Sequence, residues 1–359
     1  SYGLARYDGT PLYEYPHSAV RESEWGSYNF NHSRREVRCF LQSAANYWLE
    51  EFHFDGLRMD AVSRLIYWQG DPARGINGDT LEFLKNMNRG LKVRHPSALL
   101  IAEDSTAYPG VTRPVDEGGL GFDYKWDLGW MHDTLEFCQT QPDLRPRDRG
   151  KLLWSMHYFS NEHYLLPLSH DEVVHGKCSM INKMPGEYED KFSNLRAFYA
   201  YMIAHPGKKL LFMGGEFGQF AEWNFKTSID WMLLDYEHHA ALREFVKALN
   251  MTYRSNSPLF EIDDSWDGFE WRQVDDAAHS IIAFSRMDAE RDELLCVFNF
   301  TPVDHGAYPI HMPYRCTLER VMSSIERDEP LIPAEDEGEG CVLLMELKGY
   351  EAAYYRVRR

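Results

Sequence analysis

Three carboxylates stand where an enzyme commonly places its chemistry. Asp60 follows "FDGLRM", Glu103 follows "ALLIA" and Asp171 closes "YLLPLSHD", each at the end of an apolar run. A charge set against a buried run costs several kcal/mol unless it is paired or used. Strand side chains alternate, so Arg58 and Asp60 lean to one face and Leu57, Met59 and Ala61 to the other. On a helix positions 58 and 60 would diverge by about 200°. The strand therefore sets a guanidinium beside a carboxylate, either as a structural ion pair or to keep a reactive group ionised. Cleaving a glycosidic bond with retention needs such a pair of acids. One attacks the anomeric carbon as an anion, and the other gives a proton to the leaving oxygen from about 5–5.5 Å away. Arg58 would hold Asp60 as the anion. Partial desolvation behind Leu99–Ala102 would lift Glu103 toward the pKa of a general acid. The plain alternative for the whole set is ion pairs and charges on a loop rim.

Other candidates are weaker. In "SHDEVVHGK" the histidines His170 and His175 would lie about 140° apart on a helix, unlike a zinc-binding H-E-x-x-H pair. A histidine that hydrogen-bonds substrate beside a carboxylate fits better. His170 and Asp171 can serve one pocket only where their strand ends and turns. "GGLGF" (118–122) lacks the third glycine of a dinucleotide fingerprint. Tyr124, Trp126, Trp130, Trp223 and Trp231 could stack on sugar rings, although each taken singly reads as core or rim packing. No cofactor and no metal are expected.

The acids need strands to hold them. "SRREVRCFLQSAANYWLEE" has helical spacing at Val37, Phe40, Leu41, Ala44 and Trp48 and predicts a helix opened by a Ser33–Glu36 capping box. A second helix is predicted near 80–94, closed by His95-Pro96. Apolar strands ending in acids follow at 98–105, 164–172 and 208–217, with another strand near 121–129. Helix then strand, repeated, is an α/β pattern, and a (β/α)8 barrel puts its chemistry at the C-terminal ends of the strands. Asp60 to Glu103 spans 43 residues and Asp171 to Glu216 spans 45, one unit each with an insertion. Only 53 residues precede the first strand, too few for three more units. Residues 1–32 read as a long aromatic loop. After a helix at "ALREFVKALNMTYR", alternating runs in "GFEWRQV", "HSIIAFSR", "ELLCVFNF", "GCVLLMEL" and "AAYYRVRR" predict an antiparallel β domain, with "AEDEGEG" (334–340) as a solvated turn. The expected organisation is a partial barrel over 1–255 and an all-β domain over 256–359.

The chain has 359 residues and a formal charge of −18, which argues against nucleic acid or an anionic membrane as partner and suits a neutral substrate. No apolar run reaches the ~18 residues of a membrane span, and residues 1–20 do not resemble a signal peptide. The first residue is Ser1, not Met. The six cysteines show no CxxC spacing and are expected to be reduced, buried thiols in a cytoplasmic protein.

With these residues in view, the chain resembles the α-amylase superfamily of glycoside hydrolases and transferases. "DGLRMDAV" looks like its nucleophile strand, "IAEDS" its acid/base strand and "LSHDE" the strand of its third carboxylate. Within it, "GGLGFDYKWDLGWMHDTLEF", "LPLSHDEVVHGK" and "PGKKLLFMGGEFGQ" are similar to bacterial glycogen branching enzymes. The resemblance implies Asp60 as nucleophile, Glu103 as general acid then base, and Asp171 as stabiliser of the transition state. It implies Arg58 orienting Asp60 and His170 bonding the sugar. It further implies an α/β fold, a (β/α)8 TIM-type barrel lacking its first strands, followed by a small antiparallel sandwich. The implied partner is an α-1,4-glucan such as glycogen, and the reaction forms α-1,6 branches without a cofactor. A hydrolase or debranching enzyme of the same superfamily, or a non-catalytic glucan-binding module, are the alternatives. Nothing before residue 54 resembles the family's upstream strand motif. The chain is thus expected to be the C-terminal portion of such an enzyme, weak or inactive alone, with its N-terminal portion as a partner.

Overall fold

A computed structural model describes residues 7–276, 278–326 and 332–359. The chain divides into two compact units, residues 1–126 with 161–163, and residues 127–160 with 164–359. The expected aromatic loop at 1–32 lies partly outside the described residues. From residue 7 it is mostly turns, with the short helix α1 (Ser18–Arg21) and two isolated bridges, Glu14 to Phe30 and Glu22 to Tyr28.

In the first unit, helix α2 (Arg35–Glu50) leads to strand β1 (Gly56–Met59), helices α3 (Val62–Ile66) and α4 (Gly78–Arg94), and strands β2 (Leu99–Ala102) and β3 (Tyr124–Trp126). The three strands are parallel, with Arg58 opposite Ile101, Met59 opposite Ala102, and Ala102 opposite Lys125. Their apolar faces pack with Val62, Ile66, Phe83, Leu84 and Leu91 into one core. Helix α4 begins two residues earlier than its spacing suggested because the Asn77 side chain caps it, accepting from the Thr80 N–H at 3.3 Å. The capping box expected at Ser33 does not form. Its hydroxyl turns to Asn31 Oδ1 at 2.7 Å, and α2 starts without a side-chain cap. An Asx-type bond inside the preceding turn outcompetes the helix for that serine.

The second unit opens with α5 (Leu128–Gln139) and α6 (Arg145–Asp148). Strand β4 (Tyr164–Leu168), helix α7 (Tyr188–Ala204), strand β5 (Lys208–Leu211) and helix α8 (Glu237–Ser255) follow. β4 and β5 are parallel, Leu165 opposite Lys208. The remaining chain forms β6 (Phe269–Gln273), β7 (Ile281–Met287), β8 (Glu293–Asn299), β9 (His305–Met312), β10 (Thr317–Ser323), β11 (Ala334–Glu337), β12 (Gly340–Leu347) and β13 (Ala352–Arg358). These make a sheet ordered β10-β13-β8-β7-β6 and another ordered β11-β12-β9. Ile281, Leu295, Val297 and Tyr355 face Ile310, Met312, Leu343 and Met345 between the sheets, which makes a sandwich. The opposite face of the larger sheet carries Phe284, Cys296, Phe298 and Tyr354 into one core with Leu195, Phe198 and Tyr201 of α7. Burial on both faces explains why β7 and β8 are buried throughout.

Two expectations need correcting here. "AEDEGEG" is only half a turn, since Ala334–Glu337 pairs with β12 as an exposed edge strand. Of the six thiols, Cys39 and Cys178 are exposed, and all six are free. Among the described residues no helix is long and apolar enough to cross a membrane.

Candidate active site

Parallel register brings two of the acids together in the first unit. Met59 sits opposite Ala102, so the next residues, Asp60 and Glu103, leave neighbouring strands at the same end. The backbone braids them further, as Glu103 N–H donates to Met59 O at 2.9 Å and Val62 N–H to Glu103 O at 2.7 Å. Ala61 takes a left-handed conformation, φ 45° and ψ 48°, which costs an alanine about 1–2 kcal/mol. That turn aims the Ala61 N–H at Glu103 Oε2, 3.2 Å away.

Arg58 lies between the two acids. Its Nη2 is 2.5 Å from Glu103 Oε2, and Nη1 is 3.9 Å from Asp60 Oδ2. Its guanidinium stacks 4.2 Å over the Trp126 ring. Arg58 was expected to serve Asp60 chiefly; its close bond is to Glu103. Alternation within one strand brings residues 58 and 60 to a common face, but the inter-strand register decides which acid the fork reaches. The acids differ in setting: the Asp60 side chain is 78% exposed and that of Glu103 only 18%. Burial, followed by a hydrogen bond with Asp60, raises the Glu103 pKa to about 7 against the opposing pull of the Ala61 N–H and Arg58.

In the second unit β4 ends at Leu168 and the chain turns at once into a 3₁₀ helix, His170–Val173. Ser169 caps this turn, its Oγ accepting from the Asp171 N–H at 3.3 Å. The break in strand alternation lets His170 and Asp171 sit together, Nε2 to Oδ1 3.3 Å, both side chains about half exposed. The imidazole rests against Phe212 and Trp223, with ring centroids 5.9 and 6.3 Å away. Glu216 likewise lies in a turn just beyond β5.

The aromatic candidates separate by burial. Trp130 is fully buried and Trp126 covers Arg58, so neither offers a face to a sugar. Trp223 walls His170, and Trp231, which leans on Phe217, is exposed. The parts missed by sequence reasoning are the left-handed Ala61, the Ser169 cap and Phe212. Alanine gives no signal of positive φ, although "LSHD" is a serine capping pattern. Among the described residues no cluster of three or more His, Cys, Asp or Glu could hold a metal ion.

Known proteins resemble this chain in sequence and in fold. Residues 271–358 match the family described as "Alpha amylase, C-terminal all-beta domain". Over 326 residues the chain is 46% identical to the 1,4-alpha-glucan branching enzyme GlgB of Geobacillus stearothermophilus, covering 90% of this chain and 51% of that one. It is 45% identical over 326 residues to the enzyme of the same name from Bacillus caldolyticus, covering 90% and 49%. The chain therefore spans about half the length of the curated relatives it matches. In fold it resembles the Nostoc punctiforme debranching enzyme, with TM-score 0.65 and 15% identity over 99% of this chain and 68% of that one. It also resembles the α-amylase of H. orenii, with TM-score 0.62 and 14% identity over 93% and 67%.

Proposed function

We propose, from the premise that this chain belongs to the α-amylase superfamily of glycoside hydrolases and transferases, that it carries the acid–base machinery of a glycogen-branching transglycosylase. The observation that carries the reading is the unequal pair Asp60 and Glu103. An exposed carboxylate stands beside a desolvated carboxyl whose pKa is raised to about 7, as nucleophile and proton donor require. In this reading Asp60 attacks the anomeric carbon of an α-1,4-linked glucose. Glu103 protonates the departing oxygen, and a glucosyl ester on Asp60 results. Glu103, now a carboxylate, takes the proton from the C6 hydroxyl of a second glucose, which displaces Asp60 and creates an α-1,6 link. In the second unit Asp171 and His170 offer a carboxylate and an imidazole that hydrogen-bond sugar hydroxyls. Arg58 holds the two acids in register and moderates the rise in the Glu103 pKa.

Family resemblance supports a division into a barrel portion over 1–255 and an all-β domain over 256–359. The six free thiols suit a reducing cytoplasm. The products decide between branching and hydrolysis. Amylose treated with the protein should lose its iodine colour, slowly, while reducing ends stay constant. A rise in reducing ends in step with the colour loss would assign a hydrolase instead. Glucan binding with neither change would assign a binding module.

A further inference from the structure

The loop after β4 is held in a conformation its residues resist. His175 and Cys178, neither of them glycine, have φ of 57° and 67°, with Gly176 at 80° between them. Such positions cost on the order of 1–2 kcal/mol each and persist only where surrounding bonds impose them. Here two of the bonds come from the loop after β5, beside those that Lys183 and Val174 make with Lys177. The Glu222 carboxylate accepts from the Gly176 N–H at 3.0 Å and from the Cys178 N–H at 2.8 Å, one oxygen to each. The next residue, Trp223, donates its N–H to Val173 O at 2.9 Å. Asn182 Nδ2 donates to Phe220 O at 2.9 Å. Beside these bonds the Trp223 indole stands edge-on to the His170 ring and at 86° to Phe212.

We propose that Glu222 and Trp223 are positioning residues for the His170–Asp171 turn, the carboxylate pinning the strained loop and the indole walling the imidazole. Together they set the rim, His175 to Cys178, that a glucan chain meets. The sugar-facing half rests on the glucan reading above; the loop-holding half does not. A carboxylate suits the position because it offers one oxygen to each amide. The same two amides stabilise the anion and draw the Glu222 pKa below the usual range, so the clamp stays charged at neutral pH.

Cys178, exposed within the loop, reports on it directly, and exposed Cys39 in α2 is an internal control. Iodoacetamide alkylation of the 359-residue chain, read peptide by peptide, should proceed about fivefold or more faster at Cys178 in Glu222→Ala, and unchanged at Cys39. Glu222→Gln, which keeps one acceptor oxygen, should fall between. In the wild type, maltoheptaose should slow Cys178 alkylation, and Glu222→Ala should need roughly tenfold more sugar for the same protection, partly restored in Glu222→Gln. Trp223→Leu should shift the His170 ring protons in NMR spectra with the thermal midpoint little changed. Equal Cys178 rates in Glu222→Ala and wild type would overturn the clamp. A faster rate with unchanged sugar affinity and no Gln rescue would reduce it to a merely structural bond. A faster rate with no maltoheptaose effect on the wild type at any concentration keeps the loop-holding role and removes the glucan reading.

Discussion

At the residue scale, Asp60 and Glu103 share a hydrogen bond and a guanidinium yet differ in their access to water. The proposed mechanism demands that difference. Asp60→Asn should lower the rate of glucan transfer by several orders of magnitude while leaving maltooligosaccharide affinity within a few-fold of the wild type, measured by single-turnover kinetics and calorimetry. In the proposed mechanism Glu103 sets the alkaline limb. Its proton is held up to about pH 7, so kcat/KM should fall as pH rises through that value, and Glu103→Gln should abolish the limb. The sign for stability is the same. Between the ordinary value of 4.5 and about 7 the native state binds the extra proton, so this group's contribution to stability declines as pH rises across that window. Urea midpoints of the wild type should show that component and Glu103→Gln should lack it. These two acids and Arg58 are legible from the chain because strand alternation and the strand-end rule are local. The partner that Arg58 reaches is not, since it depends on which residue of β2 faces Met59.

At the element scale, β1 and β2 lie so close that a Cβ on Gly56 would come within 2.4 Å of Leu99 O. Gly56→Ala should therefore push the strands apart and cost about 1–3 kcal/mol, read from the denaturant midpoint. Activity should fall more steeply than stability, because the same two strands carry the acids. Four of the parallel strands are foreshadowed by apolar runs; β3, with a lysine at its centre, is not such a run. In the β domain the strands that escaped notice are β9, β10 and β11, each at the edge of its sheet. Edge strands are half-solvated and carry charge or proline, as in "HGAYPIHM", "TLERVMS" and "AEDE", so they show no buried run to read. The Ser33 box failed for a related reason: a capping serine has several local partners, and the chain alone does not rank them.

At the scale of the molecule, the second unit is knit across its two kinds of layer. Arg286 in β7 is fully buried and donates to Ala204 O at 2.6 Å, Ile262 O at 3.1 Å, Gly268 O at 3.2 Å and Asp263 Oδ1 at 2.8 Å. Arg286→Met would leave three carbonyls and a carboxylate short of a donor. It should cost about 3–5 kcal/mol by urea denaturation, with the m-value retained. Tyr354 in β13 reaches Ala200 O of the same helix, and Arg145 reaches Phe300 O at 2.6 Å.

Those ties carry a practical corollary for anyone building chimeras. The terminal β-sandwich looks like a detachable cassette, yet the acceptors for its tyrosine and arginine sit on Ala200 and Ala204, well upstream. A graft cut between α8 and β6 would sever hydrogen bonds inside a single hydrophobic interior. One that carries α7 along with the tail transplants the whole knot.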